Sequence, residues 1–249
     1  MENNINNNQE NNEENKNKIK NICEKYNPQI LNMPDSPNDY SESDINFKII
    51  VIGNSGVGKT CITNQATKNI FVGEYKTTIG MEIYSLFIKI DNKIIKLQIW
   101  DTCGQEIYRS LVTNFYRNSS LAIMVYSIDS SESFRDLDLW IKELKMNNSP
   151  DTKLILVGNK LDLKENREVQ YEEGKKFSEN FGFLDFFETS AKSGENIKEM
   201  FIEAAIVLYE EQKKYLDGDS NSSFSTFRPS NVNILNKSKS RRKKEGTCC

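Results

Sequence analysis

Histidine is absent from the 249 residues, and with it go Ser-His-Asp and Cys-His catalysis, zinc sites of the His-Glu-x-x-His type and imidazole pH sensing. Cysteine is scarce: Cys23, Cys61, Cys103, Cys248 and Cys249 show no spacing that suggests a disulfide framework or a zinc site, so a reducing compartment is expected. No charge-free run of roughly 18 apolar residues occurs, and the first residues carry no signal-peptide pattern, so neither a membrane span nor export is expected. A strong field of either sign is also missing. Lys and Arg number 33 against 36 Asp and Glu, a net charge of −3, so nucleic acid is not an expected partner.

What is present divides into three stretches. Residues 1–46 hold 9 acidic and 4 basic side chains, and 9 of the first 20 residues are Asn. Such a segment cannot bury enough apolar surface to offset its ordering entropy, so a disordered arm is expected. Residues 47–213 alternate strand-like apolar runs with amphipathic stretches, the pattern of an α/β layered domain. Strands are predicted over 47–52, 82–90, 94–101, 121–127, 153–158 and 186–189, with a two-residue turn at Asp91-Asn92. The expected sheet has six strands, mostly parallel with one antiparallel edge, and helices on both faces. One helix should open at Ser131 and bury Trp140, Ile141 and Leu144; another over 197–208 should bury Met200, Phe201, Ala204, Ala205 and Leu208. Residues 214–249 read as a flexible linker that ends in a basic tail.

The chemistry-bearing motifs sit at the carboxyl ends of predicted strands, where open α/β sheets bind ligands. Gly53-Asn54-Ser55-Gly56-Val57-Gly58-Lys59-Thr60 lies between a strand and a helix, which is the context a phosphate loop requires. Its backbone N–H groups, from Ser55, Gly56, Val57 and Gly58 through Lys59, Thr60 and Cys61, can surround an anionic phosphate. Lys59 would reach the β- and γ-phosphates, and the Thr60 hydroxyl suits Mg²⁺. Asn159-Lys160-Leu161-Asp162 selects guanine: the Asp162 carboxylate can accept from both N1–H and the exocyclic amine, groups that adenine does not offer. In Asp101-Thr102-Cys103-Gly104-Gln105-Glu106 the acid can hold Mg²⁺ through water. There Gly104 can offer its N–H to the γ-phosphate and Gln105 can orient a water.

Together these segments resemble a small GTPase of the Ras superfamily with a P-loop GTPase domain. They occur in family order with Thr78-Ile79-Gly80, Lys96 to Thr102 and Glu188-Thr189-Ser190-Ala191-Lys192. The Rab branch is indicated by Ile79 to Ile83, the Lys96 to Thr102 run, Tyr108-Arg109-Ser110-Leu111 and Phe115-Tyr116-Arg117. The resemblance implies that Phe71 stacks near the base, Thr78 ligates Mg²⁺, Lys160 lies along the ribose and base, and the Ser190-Ala191-Lys192 backbone meets the base oxygen. Cys103 departs from the family, which usually has Ala there, and is read as a tolerated small side chain, with a redox-sensitive thiol as the sharper alternative.

Residues 237–249 carry six basic side chains against Glu245 and end in Cys248-Cys249, which resembles the Rab double-cysteine ending that bears two geranylgeranyl groups. The implied protein is a membrane-anchored switch in vesicle trafficking that hydrolyses GTP slowly with Lys59 and Gln105. Its place would be the cytoplasmic face of an intracellular or plasma membrane, in exchange with cytosol. Its implied partners are an exchange factor, a GTPase-activating protein, a GDP-dissociation inhibitor and effectors. Two other classes remain: a GTP-binding scaffold with negligible turnover, against which Gln105, Thr78 and Asp101 argue, and a P-loop kinase or ATPase, for which no acceptor or helicase element is visible.

Overall fold

Period-two burial builds the centre of the molecule. In the computed structural model, which describes residues 21, 24–31, 43–71, 73, 78, 80–104 and 115–216, strand β2 (Ile45–Ile52) sends Phe47, Ile49 and Val51 to one core and Ile50 and Ile52 to another. Strand β5 (Leu121–Ser127) repeats the division, with Leu121, Ile123 and Val125 facing the first core and Ala122, Met124 and Tyr126 the second. A strand that is apolar on both faces needs cover on both. Helices α1 (Lys59–Lys68) and α5 (Ile197–Leu216) cover the first face; α2 (Ser131–Arg135), α3 (Leu137–Asn147) and α4 (Tyr171–Phe181) lie toward the second.

The remaining strands are β1 (Gln29–Leu31), β3 (Met81–Ile90), β4 (Lys93–Thr102), β6 (Lys153–Asn159) and β7 (Asp185–Glu188), in the spatial order β1-β3-β4-β2-β5-β6-β7. Pairings among β4, β2, β5, β6 and β7 are parallel; β3 is antiparallel to both β4 and β1. The sheet therefore has seven strands rather than six, and β3, the strand that runs against the rest, is not the edge: β1 pairs with it on the outside. Asp91 takes the left-handed conformation (φ 53°) that lets β3 and β4 reverse over two residues.

The arm expected over 1–46 is corrected in the same place. Gln29, Ile30 and Leu31 pair with Lys89, Ile88 and Phe87, and the core strand itself begins at Ile45. Tyr26 is buried, sets its ring edge-on against Tyr209 at 6.3 Å, and donates its hydroxyl to Glu210, which also accepts from Lys25 at 2.9 Å. Tyr209 in turn donates to Asp91 at 3.2 Å, so the segment, the β3–β4 turn and the end of α5 form one clasp.

The helix expected from Ser131 is two helices. Ser130 caps α2 by accepting from Ser133 N, and Asp136 stands at the junction before α3. The last helix buries Met200, Phe201, Ala204, Ala205 and Leu208 as its spacing predicts, and continues to Leu216, three residues beyond the expected domain end. The rest of the arm and the tail with Cys248 and Cys249 lie outside the described residues.

Candidate nucleotide-binding site

A cleft of about 1090 Å³ opens at the carboxyl ends of the parallel strands. Its floor is the loop between β2 and α1, in which Gly53, Gly56 and Gly58 have φ of 141°, 78° and 97°. A methyl group on Gly53 would stand 2.1 Å from the Val125 carbonyl oxygen, and one on Gly58 would stand 2.3 Å from Asn159 Nδ2. These two glycines are needed for contact with the neighbouring strands, quite apart from any ligand. The start of α1 has no side-chain cap and no acid in its first turn, so its amides and helix dipole suit an anion.

Lys59 is buried beneath this loop, donating to Gly53 O at 2.8 Å and Asn54 O at 2.7 Å. Burial pushes its ammonium down to about 8, although Asp101 pulls the other way. A phosphate placed above the loop would restore the missing counter-charge. Gly104 closes in from the end of β4: a side chain there would come within 2.3 Å of the Lys59 ammonium.

Beside Lys59, the Thr60 hydroxyl donates to Asp101 Oδ2 at 2.6 Å and lies 2.8 Å from the Thr78 hydroxyl. Asp101 is wholly buried, its Oδ1 has no hydrogen-bond partner among the described residues, and burial raises its carboxyl to about 6 against the Thr60 hydrogen bond and Lys59. An orphaned carboxylate oxygen among two hydroxyls is a hard-oxygen donor set. It fits Mg²⁺, which Thr60, Thr78 and Asp101 would hold and whose positive charge would offset the negative charge of a phosphate chain.

The other end of the cleft is built from the loops after β6 and β7. Asp162 Oδ1 accepts from Ser190 Oγ at 2.6 Å, and that hydroxyl also accepts from Ser193 N at 3.1 Å, which fixes the carboxylate. Lys160 has a left-handed backbone (φ 68°) and pairs with Asp129 at 3.3 Å. Asn159, expected among the nucleotide contacts, uses its amide inside the protein. Its Nδ2 donates to Val57 O at 2.8 Å, while its Oδ1 accepts from Thr189 Oγ1 and Ala191 N, both at 3.2 Å. It ties the phosphate loop to the base-side loop. Behind it, Arg167 bridges Glu188 with both guanidinium nitrogens, Nη2 at 2.8 Å, holding the strand that leads into Ser190.

The Ras family model matches residues 48–210. The chain belongs to the Ras family. Its fold is accordingly the P-loop GTPase fold, with a mixed, mostly parallel seven-stranded sheet, and it is a guanine-nucleotide switch of the small GTPase kind. Within this Ras-family cleft, the expected residues Ser55, Gly56 and Cys61 line the phosphate end, while Ala191 and Lys192 line the base end; Phe71 stands at the mouth, 41% exposed. Val57 is buried and contributes its carbonyl to Asn159. Gln105 lies outside the described residues.

Cys103 is 1% exposed and donates its N–H to Gly80 O at 3.0 Å. That suits a small packed side chain; redox sensing needs an accessible thiol. Further lining residues escaped the motif reading: Asn64 and Lys68 on α1, Tyr84 on β3, and Gly73 and Leu163. Asn64 and Lys68 stand four apart on a helix and Tyr84 two beyond Glu82 on a strand, spacings that put each on its neighbour's face and are the signal that could have found them. Asn54 and Asp129 also escaped it, because neither occupies a constrained motif position.

Proposed function

We propose that the protein is a Rab-like small GTPase: a membrane-anchored switch that binds GTP and GDP with Mg²⁺, hydrolyses GTP and regulates vesicle trafficking. The observation that carries the nucleotide part is one cleft with Lys59 beneath a capless helix start at one end and the Ser190-fixed Asp162 carboxylate at the other. The first arrangement accepts a phosphate chain. The second accepts two N–H donors from a guanine edge and opposes the lone pair of adenine N1.

In the proposed hydrolysis, water attacks the γ-phosphorus in line while Gln105 orients it and Lys59 stabilises charge on the phosphate oxygens, with no covalent intermediate. Thr78 belongs to the loop around Phe71 to Glu82, so loss of the γ-phosphate would release that loop and the one around Asp101 to Tyr116 and change the surface offered to effectors. The Rab assignment rests on the residues at 79–83, 96–102, 108–111 and 115–117 and on Cys248 and Cys249, which would carry two geranylgeranyl groups beside the basic residues at 237–244. Exchange factor, activating protein, GDP-dissociation inhibitor and effectors are the partners this cycle needs. Its place would be the cytoplasmic face of an intracellular or plasma membrane.

Equilibrium binding of GTP and ATP with magnesium tests the reading first: guanine selectivity of a thousandfold or more is expected, and equal affinity would overturn it. Single-turnover hydrolysis, with and without a broad Rab activator, should show slow turnover that the activator accelerates. Imaging the tagged chain beside one lacking Cys248 and Cys249 should show membrane signal only for the first.

A further inference from the structure

We propose that Asn54 is a positioning residue of the phosphate loop, clamped by Asp136 and Trp140, and that this clamp sets how long a nucleotide stays bound. The inference rests on the cleft being a guanine-nucleotide site. Asn54 follows Gly53 and occupies a variable position of the loop pattern, so no motif assigns it a task.

Both ends of its side-chain amide are engaged. Oδ1 accepts the indole N–H of Trp140 at 2.8 Å, and Nδ2 donates to Asp136 Oδ2 at 2.7 Å. Asp136 and Trp140 stand one helical turn apart at the start of α3, joined by a backbone hydrogen bond of 3.3 Å. Trp140 is 1% exposed and lies within the second core, so the clamp is anchored in packed structure.

The backbone of Asn54 faces the opposite way. Its carbonyl accepts the Lys59 ammonium at 2.7 Å, and its C and O atoms lie 2.6 Å from where a methyl group on Gly104 would stand. One residue is therefore gripped by α3 through its amide while its main chain anchors Lys59 and walls Gly104. A primary amide suits this position because it accepts from the indole and donates to the carboxylate at once. An acid at residue 54 would set two carboxylates together unless residue 136 became the amide. The required pairing is thus reciprocal and can be exchanged.

The loop holds an anion through preorganised N–H donors, so releasing Asn54 should shorten nucleotide residence. The test is dissociation of a fluorescent GDP analogue with magnesium, at a temperature well below melting, from wild type, W140F, N54A, N54D and the double variant N54D/D136N. Trp140→Phe keeps the ring and removes only the N–H; it should speed release about five-fold, as expected for losing one hydrogen bond to a half-buried acceptor. In an N54A background it should add nothing further. Asn54→Asp should release faster still, and the exchanged pair should return to within about two-fold of wild type.

A merely structural role would lower the melting temperature of each variant and leave the release rate unchanged; that result would overturn the proposal, as would failure of the exchanged pair to recover. A wild-type chain that binds no guanine nucleotide would overturn the site reading and the clamp together, whereas normal wild-type binding with unchanged variants would sink the clamp alone.

Discussion

The same strands end in two different kinds of chemistry. At their carboxyl ends, Lys59 and Asp101 are buried with their charges disfavoured, and the loop beneath them depends on glycines packed against the Val125 carbonyl and the Asn159 amide. At the far end, where β3 turns into β4, Tyr26, Tyr209, Glu210 and Asp91 link three chain segments through ring contact and hydrogen bonds. Charge without full compensation readies the first end for an anion and a cation. Side chains that already have each other make the second a fastening. The difference shows that one sheet can keep its unstable groups at one rim because the opposite rim closes the structure.

The sharpest way to break that contrast is Gly53→Ala. The added methyl meets the Val125 carbonyl oxygen at 2.1 Å in a backbone region unfavourable to side chains, so the variant should lose nucleotide binding and several kcal/mol of stability, as chemical denaturation and nucleotide titration would show. Tyr26→Ala removes a buried ring at the other rim. It should cost about 2–3 kcal/mol in denaturation while leaving nucleotide affinity within about two-fold; a large loss of affinity would mean that the two rims are not independent.

Acid should act on the two rims in opposite directions, with the smallest effect. The Asp101 carboxyl is raised to about 6 by burial, so the folded protein takes up its proton before the unfolded chain does, and the cost of the buried charge is relieved as pH falls from above 6 toward 3.8. Glu210 is held below its usual 4.5 by the Tyr26 hydroxyl and then Lys25; its contribution is present above pH 4.5 and lost as pH falls through its lower folded value. Denaturation of the nucleotide-free, magnesium-free protein beside Asp101→Asn and Glu210→Gln should therefore show Asp101→Asn more stable than wild type at pH 7 and converging on it near pH 4. For Glu210→Gln the deficit should persist to about pH 4.5 and shrink below it.

Much of this arrangement was legible in the sequence where a local rule and the tertiary structure agree. The strands 121–127 and 153–158 and the reversal at Asp91-Asn92 are apolar runs and a turn whose local preference matches their final surroundings. The phosphate loop was legible because its spacing is dictated by backbone geometry. Strand β1 was not: three residues after Pro28 gain their conformation from Phe87, Ile88 and Lys89, some sixty positions away, within a stretch whose composition speaks for disorder. Nor was the inward role of Asn159, since spacing gives a residue's place but not the partners its amide finds. The break at Asp136 between α2 and α3 escaped notice for the same reason, although it sets the residue that meets Asn54.

The short strand at the outer edge of β3 has a practical consequence for anyone shortening this protein. A chain begun at residue 43 would keep the whole region matched by the family, yet it would strip Phe87–Lys89 of their neighbour and uncover one side of the Tyr209 ring. Bare amides beside an apolar face attract the next available strand, and in a concentrated sample that is another copy of the same molecule. Trimming to the family boundary would thus give the chain a new tendency to stack.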